Sequence, residues 1–154
     1  MTTYEQLLIE VLEFRAANRL DLPHRQFLAL RNSALAGTLR IFRDALSRPI
    51  GYVAWAGVCR ETAHRLLRRL EFAAYPYEWT EGNIRYVVDV VLLPKERRTG
   101  LRQLKAVFAN SRALLIARRE HVRLYTRRRG IWRLRQEAEP HAPDNAAIRA
   151  AARA

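Results

Sequence analysis

One carboxylate, Asp89, stands inside an apolar run, and its chemistry is the first question that this sequence raises. The run RYVVDVVLLP, residues 85–94, is rich in valine and leucine and stops at a proline. A run of this length and β-branched content predicts a buried strand. Burying an ionised carboxylate without a partner is costly, so Asp89 must either pair with a basic side chain or have a chemical role.

A candidate anion site follows directly, in the segment LLPKERRTGLRQL, residues 92–104. The strand is predicted to end at Pro94, a basic loop with one glycine, Gly100, follows, and a helix is predicted from residue 101. Backbone N–H groups at a helix N-terminus bind anions such as phosphate, and nearby arginines strengthen that binding. The arginines of this segment are Arg97, Arg98 and Arg102. A solvated basic loop is the alternative interpretation.

The overall charge favours an acidic partner. The chain of 154 residues has 28 basic and 15 acidic residues, a formal net charge of +13, and Lys95 and Lys105 are its only lysines. Nucleic acid, an anionic membrane face or an acidic protein would each suit this field. The segment ARREHVRLYTRRRGIWRLR, residues 117–135, concentrates eight of the arginines with two aromatic residues. Such a surface can bind phosphate backbones and stack bases, although alternation along a hairpin also places arginines on a solvated face.

Several classes of protein and site are not expected. No apolar stretch approaches the roughly 20 residues that cross a bilayer, and no secretory signal is expected in MTTYEQLLIE. Cys59 is the only cysteine, so no internal disulfide can form, and a reducing compartment, the cytoplasm, is predicted. His64 lies in an arginine-rich predicted helix, and His121 and His141 have no cysteine or carboxylate at ligand spacing, so no metal site is predicted.

The elements that position these residues mix α and β structure. We predict helices at 3–18, 60–73 and 101–110, the first with a Thr3–Gln6 capping box. We predict strands at 38–44, 50–58, 85–93 and 113–119 and a basic hairpin at 121–135 that turns near Gly130. The segment LDLPHRQF, with His24, is predicted to be a loop. One domain is predicted over residues 1–136, and an Ala-, Pro- and Arg-rich tail over 137–154.

The anion segment resembles the acetyl-coenzyme A pattern of the GNAT acyltransferases, V-x-P-x-x-R-x-x-G-x-G/A. The matching residues here are Leu92, Pro94, Arg97 and Gly100. Arg102 replaces the last small residue of the pattern, which in that fold allows close approach of pantetheine and diphosphate.

Four further elements, in the right order, resemble the RTX toxin-activating lysine acyltransferases, the hemolysin-activating family. They are Pro49, Tyr52, Trp55 and Ala56; Trp79, Thr80 and Gly82; Asp89 and Pro94; and His24 with Arg25. The resemblance covers residues 20 to 130 and implies a single GNAT-like α/β domain with a mixed, mostly antiparallel sheet flanked by helices. It also implies transfer of a fatty acyl group from acyl–acyl-carrier protein to internal lysines of a protein substrate, with no other cofactor.

The resemblance assigns roles to residues of this chain. It implies that His24 takes the proton of the lysine amine, that Asp89 orients the imidazole, and that Arg118 lies near the donor site with Arg97, Arg98, Gly100 and Arg102. Neutral imidazole suits this task because a lysine amine with a pKa of about 10.4 must lose its proton before it attacks a thioester.

Three positions depart from the family: Asp21 stands where a serine is usual, Arg123 stands where a glycine is usual, and Arg102 replaces the small residue. The alternatives are a coenzyme A-dependent N-acetyltransferase and an inactive arginine-rich module that binds nucleic acid or packs in an assembly. A homodimer is left open.

Overall fold

Four α-helices and six β-strands make up the parts of the chain that the computed structural model describes, residues 3–69, 75–118 and 121–138. The helices are α1 (Tyr4–Ala17), α2 (His24–Leu35), α3 (Arg60–Arg69) and α4 (Arg97–Val107). The strands are β1 (Leu39–Arg43), β2 (Pro49–Val58), β3 (Ile84–Leu92), β4 (Ala113–Arg118), β5 (His121–Arg128) and β6 (Ile131–Ala138). Short 3₁₀ turns at Pro76–Trp79 and Pro94–Glu96 precede β3 and α4.

The strands form one open sheet in the order β1-β2-β3-β4-β5-β6. Every neighbouring pair is antiparallel except β3 and β4, which run parallel because α4 crosses between them. The predicted α/β class and the mostly antiparallel sheet are therefore confirmed, and the architecture is consistent with a GNAT-like fold. No helix in the described ranges is both long and apolar enough to cross a bilayer.

Helices cover both faces of the sheet, and alternate residues of β2 show which helix lies on which face. Tyr52 and Ala54 pack with α1 and α2, and Ala56 and Val58 pack with α2 and α3. The intervening Val53 and Trp55 pack on the other face with Phe108, at the end of α4. β2 is accordingly buried on both sides over residues 50–58. Asp89 of the neighbouring strand β3, whose side chain is 9% exposed, must find its partner inside the protein.

Most predicted elements are confirmed, including the capping box at the start of α1, where the side chains of Thr3 and Gln6 each accept a hydrogen bond from the other's backbone N–H. Two predictions are wrong. His24 is the first residue of α2 instead of a loop residue, and α4 begins at Arg97, four residues earlier than predicted. Gly100 consequently lies in the first turn of the helix. Residues 139–154 of the predicted tail lie outside the described residues, so that boundary stays a prediction.

Candidate active site

Asp89 belongs to a buried polar network, which explains how a carboxylate is accommodated in this strand. The Tyr52 hydroxyl donates to Asp89 Oδ2 at 2.5 Å, and Arg15 Nη1 lies 3.2 Å from the same oxygen. The side chains of Arg15 and Asp89 are only 6% and 9% exposed. Of the two possibilities that the sequence leaves open for Asp89, pairing with an arginine is therefore present in the structure.

A β-bulge directs Asp89 toward that network. Ala54 of β2 pairs with Asp89 but its neighbour Trp55 pairs with Val87, so Val88 is an extra residue on β3. A bulge of this kind changes the alternation of side chains along a strand. Both Val88 and Asp89 thereby lie on the face that carries α1 and α2, where Val88 packs in the core.

Arg15 reaches Asp89 from the apolar side of α1. It follows Val11 by four residues and is 5% exposed, like Phe14 beside it. Besides Asp89 and Tyr52, its guanidinium donates to the Asp21 backbone carbonyl and, at 3.2 Å, to Gln26 Oε1. Arg15 thus connects the aspartate of β3 to the segment 21–26, which contains His24.

Tyr52 is held as a hydrogen-bond donor. Burial, followed by the adjacent Asp89 carboxylate, raises the pKa of Tyr52 far above its ordinary value, and the nearby Arg15 offsets this only in part. The phenol therefore stays protonated over the whole range in which proteins are stable, and its proton points at Asp89 Oδ2.

His24 lies near this network but does not join it. The residue is exposed at the start of α2, after Pro23, and no hydrogen bond in the described parts of the chain joins it to Asp89. Both bonds to the Asp89 carboxylate end on Oδ2, and no described residue donates to Oδ1. Arg15 therefore links Asp89 to Asp21 and Gln26, on either side of His24, and His24 itself has no hydrogen bond with Asp89.

The sheet separates next to Asp89. β3 and β4 pair only from Ile84 with Ala113 to Val87 with Ile116, whereas β3 continues to Leu92. The last five residues of β3 therefore have no partner in β4, and the separation begins at the bulge. A gap between parallel strands gives access to backbone groups and side chains that a continuous sheet would hide.

The predicted anion site lies at the N-terminus of α4. Arg97, Arg98 and Arg102 are exposed there, within the first two turns of an 11-residue helix. Gly100 is buried because the helix approaches β3 closely, and a Cβ atom at this position would lie 2.7 Å from Leu92 Cδ2. The arginines can therefore bind an anion from solvent, and Gly100 has a packing role in the structure. The side chain of Arg118, at the end of β4, lies outside the described residues.

Sequence reasoning did not identify Arg15 as a partner of Asp89, although one signal was present. In α1, Arg15 continues the apolar positions Leu7, Leu8 and Val11 at helical spacing, where a charged residue must find a buried partner. No group of three or more potential metal ligands occurs within the described part of the chain.

No family model and no curated protein matches this chain. The family resemblance noted in the sequence therefore stays a prediction.

Proposed function

We propose that this protein is a protein-lysine N6-acyltransferase that takes a fatty acyl group from acyl–acyl-carrier protein. The observation that supports this most is the buried network of Arg15, Tyr52 and Asp89 beside the point where β3 leaves β4. A carboxylate with one occupied and one available oxygen lies there on the face that carries His24. An internal lysine of a protein, of the kind found in RTX toxins, is the proposed acceptor.

The proposed reaction needs one base and no covalent enzyme intermediate. His24 takes a proton from the ε-ammonium of the acceptor, and the free amine attacks the thioester carbonyl carbon. The C–N bond forms, the C–S bond breaks, and the attacking nitrogen releases its remaining extra proton to solvent. The thiolate of the carrier takes the other proton back from the imidazolium. Asp89 Oδ1 accepts a hydrogen bond from the imidazole or from the acceptor amine, while Arg15 and Tyr52 fix the carboxylate through Oδ2.

The charge of the chain supports an acidic carrier as the donor. Arg97, Arg98 and Arg102 lie exposed at the N-terminus of α4, where a helix favours the phosphate that joins the acyl arm to its carrier. In the coenzyme A-binding pattern of the GNAT acyltransferases, a small residue stands at the position that Arg102 occupies here. The net charge of +13 suits an acidic protein. The reaction would take place in the cytoplasm, and a homodimer stays a prediction.

The decisive experiment compares two histidine variants in a transfer assay. Acyl carrier protein loaded with an isotope-labelled acyl group is mixed with the protein and a library of lysine peptides, and acylated lysines are counted by mass spectrometry. His24→Ala should lower the rate about a hundredfold or more, which is the usual contribution of a positioned base. The control is His64→Ala, since His64 is exposed on α3, away from the network. Equal rates for the two variants would refute the role of His24.

The choice of donor is tested with the same proteins by titration calorimetry. Binding to acylated carrier protein should weaken as salt rises, because the attraction is between exposed charges. Tight binding to acetyl-coenzyme A with none to the carrier would instead favour the N-acetyltransferase alternative. Submicromolar binding to random DNA with a steep salt dependence, and no acyl transfer, would establish the nucleic-acid alternative that the arginine-rich hairpin of β5 and β6 suggests.

A further inference from the structure

The face of the sheet opposite Asp89 carries a cavity of about 560 Å³ that the proposed reaction does not use. It lies between α4, the strands β3 and β4, and the β5–β6 hairpin. Apolar side chains from all of these elements line it, among them Val90, Leu104, Phe108, Ile116 and Trp132. Its size is within the range of about 300–1,000 Å³ that is usual for small-molecule sites.

The cavity exists because no helix among the described residues covers one half of the sheet on this face. α4 packs against β1, β2 and β3, and the described chain passes from β4 to β5 and from β5 to β6 without a further helix. The apolar residues of β4 and β6 on this face, such as Leu114 and Trp132, therefore border open space. An apolar ligand would bury them and gain the corresponding hydrophobic free energy.

Both charged residues of the cavity are positive. Lys105 lies exposed on the last turn of α4, and Arg127 comes from β5. The Arg127 guanidinium donates to the Ala109 carbonyl and lies 6.0 Å from the centre of the Trp132 ring. Its Nε is buried without a hydrogen-bond partner. The positive charges of Lys105 and Arg127 favour an anionic head group in the cavity.

We infer that this cavity binds the anion of a free fatty acid, with its hydrocarbon chain among the apolar side chains and its carboxylate at Lys105 and Arg127. The two cations, with no acidic residue lining the cavity, favour a charged carboxylate over the uncharged thioester of an acyl carrier. The inference assigns a ligand and no reaction, so it does not rest on the proposed function.

The first measurement is a chain-length series of saturated carboxylates from octanoate to hexadecanoate, each below its critical micelle concentration. Trp132 lines the cavity and Trp55 contacts the lining residue Phe108, whereas Trp79 is buried elsewhere, so quenching or a shift of tryptophan fluorescence should report binding. Affinity should rise by up to about fourfold per added methylene, the equivalent of about 0.8 kcal/mol, and then stop rising once the chain fills the cavity. A steady rise with no limit and a stoichiometry above one would indicate surface adsorption and overturn the inference.

Two lysine variants test whether the positive charge of Lys105 binds the carboxylate of the fatty acid. Lys105→Met should weaken dodecanoate binding about tenfold while leaving dodecanol binding unchanged, because only the carboxylate carries a charge. Lys95→Met is the matched control, since it removes the only other lysine, which is exposed outside the cavity. Equal effects of the two substitutions, or equal losses for acid and alcohol, would contradict a carboxylate site at Lys105.

Val90→Trp tests whether the fatty acid binds in this cavity, and it does so without disturbing the core. Val90 lines the cavity but is 42% exposed, so a larger side chain there can occupy the cavity without displacing buried neighbours. Dodecanoate binding should be lost while the thermal unfolding of the variant stays close to that of the parent. Retained binding would overturn the inference. Fatty acid binding without any acyl transfer would refute the proposed function alone, and transfer without fatty acid binding would refute this inference alone.

Discussion

Replacing Arg15 with methionine should be among the most destabilising single substitutions in this protein. The guanidinium makes four contacts, with Tyr52, Asp89, the Asp21 carbonyl and Gln26, and its side chain is 6% exposed. Methionine has a similar shape but no charge and no donor. The substitution therefore leaves the Asp89 carboxylate buried with only the Tyr52 hydroxyl as a hydrogen-bond partner.

The expected loss of stability follows from the unpaired charge of Asp89. Removing one partner of a buried ion pair costs about 3–5 kcal/mol, because the remaining charge has lost both water and its counterion. For a chain of this size, such a loss lowers the melting temperature by roughly 6–20 °C. Since domains have a free energy of unfolding of about 5–15 kcal/mol, the variant should still fold at low temperature.

The assay is equilibrium unfolding in urea at pH 7, with two reference variants. The first is Arg43→Met, since Arg43 also pairs with a carboxylate of α1, that of Glu10, but the two side chains are 42% and 26% exposed. Exposed ion pairs contribute about 0–1 kcal/mol to the free energy of unfolding, so Arg43→Met should lower that free energy only slightly. The second combines Arg15→Met with Asp89→Asn, which removes both charges but keeps an acceptor for Tyr52.

The double variant shows whether the lost stability comes from the unpaired charge of Asp89. If the cost of Arg15→Met is that of an uncompensated Asp89 charge, removing the charge should recover stability relative to Arg15→Met alone. Losses that simply add would show that the two side chains act independently. A loss below 1 kcal/mol for Arg15→Met, equal to that of Arg43→Met, would refute the network.

Two further predictions concern close packing and pH. A Cβ at Gly82 would lie 2.2 Å from the Val58 carbonyl oxygen, whereas at Gly100 it would meet only the end of a leucine side chain at 2.7 Å. Gly82→Ala should therefore cost about 1–3 kcal/mol in urea unfolding and Gly100→Ala less than about 1 kcal/mol, and equal costs would contradict this. The hydrogen bond from Thr62 Oγ1 holds the pKa of Glu81 below its ordinary value of 4.5, so its contribution to stability is present above that pH and is lost as pH falls through the lowered value. Thr62→Val should return the pKa of Glu81 toward 4.5 in an NMR titration, and an unchanged titration would refute the assigned cause.

The strands and the ends of α1 could be predicted from the sequence because local signals mark them. The capping box at Thr3 and the apolar run around Asp89 both lie where the structure places the corresponding elements. α2 was missed because its buried face consists mainly of small residues, Ala29, Ser33 and Ala34, which give a weak hydrophobic pattern. The first turn of α4 was missed because its arginines are exposed and show no periodicity.

The contacts of Asp89 could not be predicted in the same way. Arg15 and Asp89 are 74 residues apart in the chain, and no local pattern specifies a pair at that separation. The bulge at Val88 is also not marked by a glycine, which would have been the usual signal. Sequence reasoning could state that Asp89 needs a partner, but only the packing of α1 on the sheet shows which one.

The short parallel pairing between β3 and β4 has a consequence for how the chain folds. Strands β1–β3 form one antiparallel meander and β4–β6 another, and within the sheet they pair only through the four residue pairs from Ile84 with Ala113 to Val87 with Ile116. Each meander can assemble from neighbouring strands, whereas the parallel pairing must close a loop through α4. We therefore expect the two meanders to behave as separate cooperative units, whose docking is the late step of folding and whose amide protons exchange with solvent in two distinct groups.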